Sequence, residues 1–124
     1  MNRNELRQAI VVVTAVDGDI FTQVPPNMKR FIYKMKATNL FAGANILTIG
    51  ARENTAGVVT TRVLDRVHFS LFNDNFNDPD ELKEDSAPLY MIDGNTTTGM
   101  TSFMRGVCSA GTVDLFIEYI DAPA

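Results

Sequence analysis

Short runs rich in Val, Ile, Thr, Phe and Tyr recur along the chain, and residues that favour turns close each of them. This pattern predicts strands near 9–16, 20–24, 30–39, 45–51, 57–64, 67–72, 88–92, 101–108 and 112–120. The punctuation is Asp17-Gly18-Asp19, Pro25-Pro26-Asn27, Ala42-Gly43-Ala44-Asn45, Asn54-Thr55-Ala56-Gly57, Asp93-Gly94-Asn95 and Ala110-Gly111, residues that tolerate positive φ or preset it. No stretch beyond the N-terminus holds a helical apolar period. Eight to nine strands without crossover helices predict an all-β chain, an antiparallel jelly-roll-like β-sandwich.

Two strands predict their own faces. In 30–39, Phe31, Tyr33, Met35 and Ala37 alternate with Ile32, Lys34, Lys36 and Thr38, which predicts an apolar inner face and a basic outer one. In 112–120 the inner set is Val113, Leu115, Ile117 and Tyr119, opposite Asp114, Phe116, Glu118 and Ile120. Phe116 and Ile120 thus fall on the wet side. Two readings are open: cover by the chain's own N-terminal segment or a loop, or burial between subunits, since contiguous exposed apolar surface marks contacts. Met104 joins Phe116 and Ile120 as an interface candidate across the closing hairpin. Lys34 and Lys36, on one strand face, are candidates for meeting the acidic segment of another copy.

The unbroken apolar run 9–16 reads as a strand buried on both faces, behind a polar arm at residues 1–8; residues 9–124 read as one domain. The arm is expected either to fray or to reach onto a neighbouring subunit. Eight apolar residues are too few to span a bilayer, and Glu5 spoils a basic leader, so a membrane partner is not expected and folding in a reducing cytosol is.

Composition narrows the chemistry. The chain has 124 residues, 11 Lys+Arg against 15 Asp+Glu, one Cys and one His. A net charge of -4 disfavours nucleic acid, whose binding is largely phosphate neutralisation. Cys108 is expected as a free thiol. His68 alone cannot supply a zinc or cupin-type centre, and its place in a strand predicts a structural or outward-facing role. The acidity concentrates in Asn73–Asp85. Counted from Asn73, calcium-loop positions would fall on Asn73, Asn75, Asn77, Glu81 and Glu84, but Asp78-Pro79 stands where Gly is needed for the turn. A solvated connection opening a short helix at Asp78–Leu82 is the simpler expectation. Asp17 and Asp19 read as hydrated turn carboxylates. No carboxylate pair, Walker loop or dinucleotide fingerprint occurs, and neither catalysis nor a cofactor is expected.

The stretch Val24–Asn39, a polar turn leading into a long strand that ends in Thr-Asn, resembles the opening of small phage and virus structural proteins. Phe103–Ile120, with its Ser-Ala-Gly turn, is similar to their closing hairpin. The resemblance implies a jelly-roll capsid decoration or cement protein, commonly a trimer, located in the virion and partnered by itself and by a shell protein. It carries no functional residue over. The alternatives are a small glycan- or ligand-binding sandwich and a cytosolic assembly or accessory protein. Absence of Trp weighs against the former.

Overall fold

The computed structural model describes residues 3–55, 58–94 and 103–123. After a 3-10 turn at Arg3–Glu5 come β1 (Arg7–Thr14), β2 (Gly18–Asp19), β3 (Met28–Asn39), β4 (Asn45–Thr55), β5 (Val58–Phe69), β6 (Asn75–Asp78), β7 (Tyr90–Asp93), β8 (Phe103–Cys108) and β9 (Thr112–Pro123). One sheet runs β1-β9-β3, with β6 and β7 both on the far side of β3; the other runs β2-β8-β4-β5, and every pairing is antiparallel.

The wiring has a simple logic. The first four strands pair with the later ones read backwards: β1 with β9, β2 with β8, β3 with β6 and β7, and β4 with β5. This is a long antiparallel ribbon whose tip is the β4–β5 hairpin. Rolling it up adds the β3–β9 and β4–β8 pairings and splits it into two facing sheets. That is the jelly-roll wiring.

Alternation fills the space between the sheets. Val113, Leu115, Ile117 and Tyr119 of β9 point inward, as expected, and meet Leu47, Ile49, Val67, Phe69, Met104 and Cys108 from the second sheet. Met104, an expected interface residue, is fully buried in this core: the inward set of β8 is Met104, Gly106 and Cys108, which leaves Phe103, Arg105 and Val107 outward. It cannot serve a contact between subunits.

Five other expectations change. In β3 the register shifts between Ile32 and Lys34, so Tyr33 is an extra residue and the faces swap across it. Arg30 and Ile32 therefore point inward with Met35 and Ala37, while Phe31 turns outward. The first strand begins at Arg7 and pairs with the chain's own β9 as an end strand; buried on one face only, it leaves Ile10 77% and Val12 57% exposed. The segments read as strands 57–64 and 67–72 are one strand, β5, with a bulge opposite Ile49/Gly50. In the acidic segment, 75–78 is strand rather than loop, and residues 79–89 leave the sheet with Leu82 buried and no helix. Around residue 20 only Gly18–Asp19 pairs as strand; 20–24 do not, although Val24 is buried. Thr101, Ser102 and, from the expected turns, Ala56, Gly57 and Asn95 lie outside the described residues.

Arg30 is the exception inside the core. It is 2% exposed, and its Nε and Nη2 donate to the two Asp121 carboxylate oxygens at 2.7 and 2.9 Å, while Nη1 donates to the Thr22 carbonyl at 2.7 Å. Its guanidinium lies 4.8 Å from the ring centres of both Phe21 and Tyr119. The fork fits a carboxylate and the flat group stacks, so a charge that is costly alone is fully partnered. The clamp fixes the β2–β3 connection against β9.

Candidate assembly surface

The antiparallel registers bring four turns to one end of the sandwich. Thr14 ends β1 opposite Thr112, Asn39 ends β3 opposite Val113, and Asn45 begins β4 opposite Phe69 at the end of β5. The turns after β1, β3, β5 and β8 therefore sit together.

Two buried asparagines bind three of them. Asn39 donates to the carbonyls of Gly43 and Leu71, both at 2.9 Å, and its Oδ1 accepts the Phe41 N–H and the Asn45 Nδ2. Asn45 donates to the Ala110 carbonyl at 2.7 Å and accepts the N–H of Ile46 and Ala110 and the Ser109 hydroxyl. Backbone bonds add Asn73 N–H to Asn39 O and Leu40 N–H to Thr112 O. Gly111 has φ +59, and Phe41 lies where a Cβ there would come within 3.1 Å of it, so that turn needs glycine. Such a fully satisfied polar network rigidifies loops.

On this rigid base stand oily tips. Val16 is 77%, Leu71 60% and Phe72 50% exposed, with Leu40 and Phe41 over one-third exposed. Rigid loops holding large apolar side chains in water mark a contact surface. Sequence reasoning did not find it. The available signal was a repeated Leu-Phe dipeptide, Leu40-Phe41 and Leu71-Phe72, each just beyond a strand and followed within two residues by Gly or Asn.

The predicted interface residues divide. Phe116 is half-buried on the outer face of the first sheet, in a row between Ile10 and Lys36. Together with Thr38 and Asp114 these three line a shallow depression of about 330 Å³. Ile120 is also half-buried, beside Phe31, which in turn faces Met91. The chain thus covers both in part and leaves the row open at Ile10. Lys36 is exposed, whereas Lys34 is half-buried and its Nζ reaches the Asp80 carbonyl at 3.4 Å. The acidic segment expected to meet these lysines from another copy is already beside them: Asn77 pairs with Lys36 across β3–β6.

The remaining polar residues hold the sandwich together. Asp17 and Asp19, expected as hydrated, form ion pairs with Arg105, and Asp19 also with Arg52. Arg52 stacks on Phe103 at 4.4 Å. Asn75 and Asn77 lie on an extended strand rather than curling around an ion, and Asn75 Oδ1 accepts the Thr38 hydroxyl. Among the described residues no three His, Cys, Asp or Glu side chains are grouped to hold a metal. His68 is exposed on the outer face of the second sheet, in a depression of about 340 Å³ with Ile46, Thr48, Arg66, Val107 and Ser109. Cys108 is a buried free thiol among the carbonyls of Val13, Ala110 and Gly111. The Tyr90 hydroxyl donates to Asp65 at 2.7 Å; burial first, then that bond and the nearby negative charge, push its pKa well above the usual phenol value.

Compared with protein families, curated proteins and solved structures, the chain matches none.

Proposed function

We propose that the chain is a non-enzymatic structural subunit of a virus or phage particle, attached through its loop end to a shell protein and to copies of itself. The observation that carries this reading is the cluster of exposed Leu40, Phe41, Leu71 and Phe72 at a loop end pinned by Asn39 and Asn45, with exposed Val16 on the turn after β1 at the same end. A particle subunit needs rigid, repeated contact surfaces more than it needs a pocket, and each apolar side chain fully removed from water contributes about 1.5–3 kcal/mol. The jelly-roll wiring is compatible with this role but also serves lectins and cupins, so the loop end bears the argument.

The test is fractionation of a lysate from the protein's natural source on a density gradient, with the chain located by mass spectrometry. Recovery in the fast-sedimenting particle fraction, and its loss from that fraction in a Leu71→Ser/Phe72→Ser variant, is the expected result. A chain found only among slowly sedimenting proteins overturns the reading.

A further inference from the structure

A β-sandwich has four edge strands, and an unprotected edge invites another strand to pair with it. Three edges here carry protection. β2 is two residues long and holds Asp19; β5 carries Arg62, Asp65 and Arg66 and is bulged; the edge opposite β1 is interrupted by residues 79–89 and bears Asp78 and Asp93. The fourth edge, β1, carries a charge only at its first residue, Arg7. Its register with β9 runs unshifted from Arg7↔Tyr119 to Thr14↔Thr112. From Gln8 to Val16 there is no charged residue and no proline. Among the described residues no strand pairs with its outer side.

We infer that β1 pairs antiparallel with β1 of a second copy about a two-fold axis at Val11, joining the two first sheets into one. The sequence of the strand fits itself in that register. Ile10 faces the partner's Val12 and Val12 its Ile10; Gln8 faces Thr14, and Arg7 faces uncharged Ala15, so no like charges meet. The outer face then gains a continuous apolar row in which Phe116, already beside Ile10, extends the contact. A foreign extended peptide would cover one such edge, whereas a second copy covers two identical ones, as isologous contacts do. This contact involves different residues from the loop end and stands independently of the proposed particle role.

The test uses the full chain carrying Leu71→Ser/Phe72→Ser, which removes association through the loops. Sedimentation at about 100 µM is expected to give a dimer, and Ile10→Lys/Val12→Lys to raise its dissociation constant at least 100-fold with an unchanged melting temperature, because both side chains point away from the core. Mixed Ile10→Cys and Val12→Cys chains are expected to form a disulfide-linked heterodimer on oxidation, and each alone much less. A monomer in the parent chain, a dimer that survives the two lysines, or cross-linking without preference for the mixed pair overturns the inference. So does an edge that captures an unrelated extended peptide while copies stay apart.

Discussion

Replacing Asn45 with Ala tests whether the loop end is rigid because of its buried amides. The Ile46 N–H also reaches the Ser109 hydroxyl, and Asn39 Oδ1 keeps the Phe41 N–H, so neither is orphaned by the change. The N–H and C=O of Ala110 both lose their Asn45 partner. A buried backbone group left unpaired costs about 1–3 kcal/mol, so two of them, eased by some water entry, cost about 3 kcal/mol. For a chain of 124 residues the unfolding entropy near the midpoint is about 0.26 kcal/mol/K, which converts that cost to a Tm lower by roughly 11 °C. Ser109→Ala, which removes only a hydroxyl from an exposed residue, is the control and shifts Tm by about 2–4 °C or less. Calorimetry gives the shift, and hydrogen exchange locates it: the amides of Phe41 and Ala110 exchange faster beyond the global change, while Leu115 and Ile117 follow the global change alone. An Asn45→Ala protein that melts within 2 °C of the parent, or loosens uniformly, refutes the reasoning.

Other consequences follow from the clamp and the phenol. Asp121→Ala leaves the buried Arg30 guanidinium without its carboxylate and is expected to cost about 3–5 kcal/mol in urea unfolding. The double change Arg30→Met/Asp121→Leu is expected to cost less than Asp121→Ala alone, and a cost equal to the sum of the single changes contradicts the ion-pair account. Above pH 10 an unfolded chain loses the Tyr90 proton while the folded chain keeps it. The Tyr90 contribution is therefore complete below pH 10 and is lost as pH rises past it. Urea midpoints between pH 9 and 11.5 are expected to fall less steeply in Tyr90→Phe than in the parent, and parallel curves refute the assignment.

What could be read from the sequence depended on whether a local rule was left undisturbed. β9 was legible to the residue because it is paired on both sides without a bulge against β1, so strict alternation assigned Val113, Leu115, Ile117 and Tyr119 inward. β3 has equally clear alternation, but one extra residue at Tyr33 swaps its faces, and nothing local marks where a bulge falls. The alternation puts Ile32 outside and, by the same count of two, Arg30 with Lys34 and Lys36, whereas Arg30 is buried against Asp121, which lies 91 residues away. Met104 was misplaced because a short strand with Gly106 at its centre gives little apolar contrast between its faces. An apolar run signals burial only when partners exist on both sides, so 9–16 reads as an inner strand although β1 stands at an edge. The loop end was hidden for a related reason: Leu71-Phe72 continue the apolar run of β5 and read as more strand. Their exposure comes from four turns converging, which only the long-range registers specify.

The most direct measurement is sedimentation velocity of the purified full chain across a range of concentrations, beside the Leu71→Ser/Phe72→Ser variant. Those two side chains are about half exposed, and burying what remains is worth about 1–2 kcal/mol each, so the account predicts parent assemblies at multiples of 13.7 kDa and, for the step made through the loop end, a dissociation constant at least about 30-fold higher in the variant. Identical sedimentation of parent and variant, both at 13.7 kDa throughout, would contradict it.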